Sequence, residues 1–197
     1  MKDERFLIAG NGLKLMFLGE VISLFSFIPL LGGLATIVGA VLAIVGLVKT
    51  IHADNGYQRA LVMLVLTVAC SVLMVIFGAT AVVGAAFGSG TALAGGALAA
   101  LVLGIGASVF SFLMTYFVCT TTSGLLREIG LEQEAGMGDL VWKLNALCYL
   151  LTILISVVSF LSSGAAGFLT IFSSLISLAA GIIYVVFLYK SYNLMLA

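Results

Sequence analysis

Glu20 is the residue of this sequence most suited to chemistry, because it is the single charge in the apolar block Leu15–Val48. An acidic side chain deep in an apolar helix is costly, so it usually faces a helix bundle or a wet cavity. Such a carboxylate could bind a proton or a cation, and Asn145 could share its site. The alternative is that Glu20 reaches the polar edge of the bundle and pairs with a lysine, for which the candidates are Lys14, Lys49 and Lys143.

The other polar residues form no pattern typical of an enzyme or a metal site. His52 is the one histidine of the sequence, and a metal site needs further ligands at matching spacing. The serines have no base near enough in sequence to activate them. The three cysteines lie in apolar surroundings without Cys-x-x-Cys spacing, namely Cys70, Cys119 and Cys148. We therefore expect no enzymatic activity, no metal and no cofactor.

The composition predicts that these residues sit in a membrane protein. The chain is 63% hydrophobic and 8% charged, whereas soluble domains are roughly one quarter charged. From Ala60 to Leu126 there is no Lys, Arg, Asp, Glu or His, and about 20 apolar residues suffice to cross the hydrocarbon. The net charge of zero provides no basic face for nucleic acid. The lipid bilayer is thus the expected partner.

Three apolar blocks predict an all-α fold of six transmembrane helices in three hairpins. The hairpins are expected at about 13–51, 60–119 and 140–190, within a single transmembrane domain over 1–197. The first would break near Pro29 and Gly32-Gly33, since proline and paired glycines disfavour helix continuation. If 13–51 is instead one bent helix, the chain has five spans.

The segment 120–139 is expected to be cytoplasmic, between the second and third hairpins. Its leucines and charges alternate in a way that suits a helix end lying at the membrane surface. Gly136 and Gly138 would break that helix. Asp139 would then cap the next helix, since a carboxylate accepts hydrogen bonds from free backbone amides.

The cations predict the orientation. With six spans, all eight fall on one side, and short positively charged loops stay in the cytoplasm. Both termini should therefore be cytoplasmic. Trp142 and the tyrosines fall toward the same side, where indole and phenol rings prefer the headgroup layer; the tyrosines are Tyr57, Tyr116, Tyr149, Tyr184, Tyr189 and Tyr192.

Small residues recur at four-residue spacing along the apolar helices, which favours close helix packing in lipid. The alternative is that one such stripe forms the seam of a homo-oligomer. The glycines expected at these contacts are Gly39, Gly84, Gly88, Gly96, Gly104 and Gly181.

Four short motifs carry a family resemblance: Gly12–Leu15, Asn55–Tyr57, Tyr116–Leu126 with Ile129-Gly130, and Phe187–Tyr192. With them the chain resembles small multi-spanning membrane proteins of Gram-positive, clostridial-type bacteria, a group with no assigned function. The resemblance implies six helices in a bacterial plasma membrane, and it transfers no site residues. In size the chain also looks like the substrate-capturing subunit of energy-coupling-factor vitamin transporters, but the Ala-x-x-x-Ala motif of that family is absent from the first helix.

Two functions follow from these observations. The sequence favours a non-enzymatic integral membrane protein with a structural or accessory role, acting through helix packing and contact with a membrane-protein partner. The alternative is a small-solute or ion transporter or channel subunit that uses the buried acid Glu20. A cavity that reaches Glu20, with Asn145 or hydroxyl groups converging on it, would favour transport. A dry, close-packed bundle would favour the structural role.

Overall fold

The described part of the chain is an all-α bundle, as the sequence predicts. A computed structural model describes residues 4–25, 32–86, 88, 90–161 and 166–197, and these residues form no β-strand. Backbone N–H and C=O groups in lipid must be satisfied within their own segment, which helices achieve. The helices are α1 (Glu4–Leu24), α2 (Gly32–Thr50), α3 (Asn55–Ala86), α4 (Gly90–Glu128), α5 (Glu132–Leu161) and α6 (Ala166–Leu196).

The helices have the length and surface of membrane spans. Five of them, all except α2, are long and apolar enough to cross a bilayer, and the apolar part Ile37–Thr50 of α2 is shorter. Large apolar side chains cover the outside, with Val65 of α3 at 60% exposure and Val82 at 70%. A water-facing surface would not present such side chains in long runs. The chain is a polytopic membrane protein.

The six helices form a ring in which each packs against its neighbours. α1 contacts α2 and α6, and the ring continues from α6 through α5 and α4 to α3. A small contact between α2 and α3 closes it. At one end of this ring Arg5 of α1 forms an ion pair with Glu128 of α4, with 3.0 Å between Nη2 and Oε2.

We call this the charged end, because α1, α3 and α5 begin there and α2, α4 and α6 end there. The described cations lie toward it, namely Arg5, Lys14, Lys49, Arg59, Arg127, Lys143 and Lys190. The buried apolar core also gathers there, and its fully enclosed side chains include Leu13, Leu126 and Leu188. The opposite, uncharged end is reached by the α3–α4 and α5–α6 connections.

Two pairs of glycines hold α1 against α2. A Cβ atom on Gly12 would lie 2.6 Å from the carbonyl oxygen of Gly46, and one on Gly46 would lie 2.6 Å from that of Gly12. Gly19 and Gly39 face each other in the same way, at 2.6 and 2.7 Å. The higher number of α1 faces the lower number of α2, so the two helices are antiparallel. The alternative of one bent helix over 13–51 is therefore wrong, although Pro29 itself lies outside the described residues.

Three helices begin earlier than the sequence predicts, because each extends past the apolar run at the charged end. α1 begins at Glu4 and not at Leu13, α3 begins at Asn55, and α5 begins at Glu132. A hydrophobic run in the sequence predicts only the part of a helix that lies in hydrocarbon. The polar first turns of these helices therefore fall outside the predicted range.

The expectation for the segment 120–139 is wrong in its details. α4 ends at Glu128, and the chain turns at Gly130, whose φ is +80°. The Leu131 amide donates to the Leu126 carbonyl and the Gly130 amide to that of Arg127, both at 3.0 Å. This is a Schellman motif, the common end of a helix at glycine. The segment is thus two helix ends joined by a tight turn.

Gly136, Gly138 and Asp139 lie inside α5 and neither break nor cap a helix. A Cβ on Gly138 would lie 2.8 Å from Cζ of Phe187, so this glycine lets α6 approach closely. The Asp139 carboxylate accepts a hydrogen bond from Nη2 of Arg127, which ties α5 to the end of α4.

The glycines expected at helix contacts behave in different ways. Gly96 lies against α3, since a Cβ there would be 2.8 Å from both the Phe77 carbonyl oxygen and the Ala81 nitrogen. Gly39 packs on α1 as described, and Gly84 is buried. The remaining three do not pack on backbone in the described chain: Gly104 meets the Met74 sulfur at 3.3 Å, Gly88 has a φ of +72°, and neither Gly88 nor Gly181 has a neighbour within 4 Å of the Cβ position.

Three of the tyrosines face the interior of the bundle. Tyr57 is fully buried, and its hydroxyl shares a 2.9 Å hydrogen bond with Oγ1 of Thr122. Tyr184 is also buried, and Tyr149 points into the bundle. These rings therefore contact other helices, because sequence position along a helix gives depth but not the face that a ring occupies.

Replacing Gly46 by alanine is expected to destabilise the bundle. The added methyl group would press on backbone atoms of α1, which cannot rotate away, and overpacking of this kind costs about 1–3 kcal/mol. Thermal unfolding in detergent measures the effect. Gly78→Ala is the matched control, because nothing lies within 4 Å of its Cβ position and alanine favours helix. Equal unfolding midpoints for the two variants would contradict the glycine contact.

Candidate functional site

A cavity of about 360 Å³ lies among α1, α4, α5 and α6. Its lining brings together Glu20 and Asn145, the two candidates that the sequence singles out. The other polar groups of the lining are Ser111 and Thr115 of α4, Cys148, Tyr149 and Thr152 of α5, and Ser177 and Tyr184 of α6. Glu20 is the one charged side chain in this lining.

Glu20 lies within the apolar depth of the bundle. It follows Lys14 by six residues, which places it about 9 Å deeper along α1 at 1.5 Å per residue. Its side chain is half-buried. Within the described residues, Glu20 forms no ion pair with Lys14, Lys49 or Lys143 and no hydrogen bond. The alternative in which a lysine neutralises the carboxylate is not realised in this part of the chain.

Several side chains that line the cavity donate their hydrogen bonds to carbonyl groups of their own helices. Oγ1 of Thr115 donates to the Ser111 carbonyl at 3.2 Å, and Oγ1 of Thr152 donates to that of Cys148 at 2.9 Å. Nδ2 of Asn145 donates to the Val141 carbonyl at 3.0 Å. Serine and threonine in helices commonly bond back in this way. Their oxygen lone pairs and the Asn145 Oδ1 remain as acceptors, so the cavity is rich in acceptors.

Two tyrosines complete the lining in contrasting ways. The Tyr149 hydroxyl is paired with Oγ of Ser111 at 2.8 Å. The Tyr184 hydroxyl is enclosed, with the residue at 6% exposure, and it has no hydrogen-bond partner in the described structure. A buried hydroxyl without a partner costs about 1–3 kcal/mol. Tyr184 and the unpaired Glu20 line the same cavity.

The cavity continues toward the uncharged end of the bundle. A second cavity of about 300 Å³ shares Thr152 and Ser177 with the first and adds Ser156 and Ser173. Together they form a track of hydroxyl groups between α5 and α6. Toward the charged end, the packed core around Phe187 and Leu188 closes the bundle. The site is therefore closed toward the charged end.

Sequence spacing could have identified the lining residues that the prediction missed. Ser111 and Thr115 are four apart on α4, and Ser177 and Tyr184 are seven apart on α6. Asn145 and Thr152 are likewise seven apart on α5. Such intervals put side chains on one helix face, and three polar faces meeting in an apolar bundle predict a lined cavity.

Comparison with other proteins adds no assignment to this site. No protein-family model, curated protein or solved structure matches the chain. In the described residues, no group of three His, Cys, Asp or Glu side chains is placed to hold a metal ion. The chemistry of the cavity itself carries the functional argument.

Replacing Tyr184 by phenylalanine is expected to stabilise the ligand-free protein by about 1–2 kcal/mol, since it removes a partnerless hydroxyl that is enclosed away from the water of the cavity. Tyr57→Phe is the matched control, because it breaks the bond to Thr122 and should destabilise by a similar amount. Thermal or denaturant unfolding of the two variants beside the parent protein decides the sign. Destabilisation by both substitutions would show that the Tyr184 hydroxyl is satisfied.

Cysteine labelling is expected to show that the cavity is wet. In a background with Cys70, Cys119 and Cys148 changed to serine, Ser177→Cys should react with a charged methanethiosulfonate reagent in proteoliposomes, because thiolate forms in water. Leu175→Cys is the control on the same helix; Leu175 is 61% exposed but lines neither cavity and should not react. Equal reactivity at the two positions would contradict a distinct aqueous cavity.

Proposed function

We propose that the protein is a membrane transporter, or the substrate-binding subunit of one, for a small cationic organic solute that binds at Glu20. The observation that carries the proposal is the meeting of an unpaired carboxylate and an unbonded tyrosine hydroxyl in one cavity within the apolar bundle. Ionisable groups at such depth commonly mark a substrate or ion pathway.

The chemistry of the lining favours a cation that donates hydrogen bonds. The carboxylate of Glu20 supplies the negative charge, and the oxygens of Asn145, Thr115 and Thr152 supply acceptors. A protonated amine offers several N–H donors to such a set, and the rings of Tyr149 and Tyr184 favour a cation near their faces. An anion would meet Glu20 with like charge.

The size of the cavity favours an organic cation over a bare metal ion. At about 30 Å³ for each water in the liquid, 360 Å³ corresponds to roughly a dozen waters. An alkali ion would leave most of that space to water. A solute of about ten non-hydrogen atoms would fill much of it and could reach both Glu20 and Tyr184.

The asymmetry of the bundle supports transport over a purely structural role. Hydroxyl groups lead from the cavity toward the uncharged end, whereas apolar packing closes the charged end. A polar site that is closed toward one end of the bundle is compatible with alternating access from the two sides of a membrane. The structural or accessory role, through helix packing and a membrane-protein partner or homo-oligomer, is the competing proposal and requires a dry interior.

For the location, we propose a bacterial plasma membrane with both termini cytoplasmic. The cations gathered at the charged end support this orientation through the preference of Lys and Arg for the cytoplasmic side. The cavity would then open to the outside, as capture of an external solute requires.

The experiment compares three compounds of matched shape, 2-phenylethylammonium, 2-phenylethanol and phenylacetate, by calorimetry on the protein in nanodiscs. We expect the ammonium compound to bind and the other two to bind at least tenfold more weakly. Glu20→Gln should weaken ammonium binding by about tenfold or more, since hydrogen bonds to charged groups contribute about 1.5–3 kcal/mol. Glu4→Gln, also on α1 but at its exposed start, should leave binding unchanged.

Uptake of radiolabelled 2-phenylethylammonium into proteoliposomes then tests movement across the membrane. Uptake that depends on Glu20 supports transport, and binding without uptake limits the role to substrate capture. Equal affinity for the ammonium and the alcohol would contradict a cation site. If no compound binds and Ser177→Cys stays unlabelled, the structural role is the better account.

A further inference from the structure

A groove, separate from the two cavities between the helices, lies on the outside of the bundle near the charged end. It is a groove of about 520 Å³ between α1 and the end of α2. Its polar lining consists of Asn11 and Lys14 of α1, Lys49 of α2 and His52 of the following turn. It shares no residue with the Glu20 cavity.

The polar and apolar parts of this groove lie at different depths. Gly12 of α1 packs on Gly46 and Thr50 of α2, so Lys14 and Lys49 sit at nearly the same level. Leu15 and Leu18 also line the groove, and Leu18 lies about 6 Å deeper along α1 than Lys14 at 1.5 Å per residue. The groove therefore places positive charge above an apolar wall that continues into the hydrocarbon.

The two lysines of the groove have no carboxylate partner in the described part of the chain. Other cations at the charged end do: Arg5 pairs with Glu128, and Arg127 pairs with Asp139. The nearby Asp54 carboxylate accepts the Gly56 amide at 2.6 Å. The positive charge of the groove is thus available to an outside ligand.

We infer that this groove binds an anionic phospholipid. Lys14 and Lys49 hold its phosphate, Asn11 and His52 donate hydrogen bonds to headgroup oxygens, and one acyl chain lies along Leu15 and Leu18. Basic pockets beside transmembrane helices on the cytoplasmic side are known to suit such headgroups. A zwitterionic lipid fits less well, because its choline group would be brought toward the same two lysines.

The test uses the full-length protein purified from nanodiscs that contain equal amounts of phosphatidylglycerol and phosphatidylcholine. Native mass spectrometry counts the lipids that each protein retains. We expect phosphatidylglycerol to be retained preferentially, and Lys14→Gln with Lys49→Gln to weaken its binding roughly 10- to 30-fold. The matched control is Lys143→Gln with Lys190→Gln, which removes two exposed lysines from the same end outside the groove; it should leave the retention unchanged.

Three results would overturn the inference. Equal retention of the two lipids would show that charge does not select the ligand. Equal loss in the two double variants would assign the effect to the net charge of the charged end. Displacement of phosphatidylglycerol by inorganic phosphate at millimolar concentration would mean that the groove recognises free phosphate. None of these results depends on whether the Glu20 cavity binds a solute, so the two proposals can fail separately.

Discussion

The architecture depends on the cost of leaving a polar group unsatisfied in a medium without water. Helices avoid this cost for the backbone. Most threonine, serine and asparagine side chains around the cavity avoid it by bonding to carbonyl groups of their own helices. Within the described residues, the buried hydroxyls of Tyr184 and Ser191 and the carboxylate of Glu20 are exceptions. Because Glu20 and Tyr184 line the same cavity, we interpret their location as stability given up for binding.

The charged end of the bundle and its middle differ in their packing. At the charged end, a buried apolar core that includes Tyr57 and Leu126 joins the helices, and ion pairs such as Arg5 with Glu128 connect their ends. Deeper in the bundle, α4, α5 and α6 present hydroxyl groups to a cavity, and the outer surface of α3 is almost entirely apolar. The charged end thus sets the relative positions of the helices, while the middle leaves room for a ligand.

The number of helices and the hairpin order could be predicted, because uncharged runs interrupted by proline, glycine and charges leave few other arrangements. The starts of α1, α3 and α5 could not, since their first turns are polar and lie beyond the hydrocarbon that the pattern detects. Glu20 and Asn145 stand out in any search for polar groups in apolar runs. Tyr184 does not, because a phenol near a helix end equally suits the headgroup layer, and only the packing of α6 shows which way it points.

The glycine pairs between α1 and α2 have a mechanical consequence. Gly12 and Gly19 are seven residues apart, as are Gly39 and Gly46, so the two contacts lie about 10 Å apart along the helices. Two backbone contacts at that separation block both sliding and rolling of one helix on the other. If the protein alternates access as proposed, Glu20 would therefore move only together with the whole α1–α2 hairpin. The contact of α1 with α6 and the smaller contact of α2 with α3 are the ones that such a movement would change.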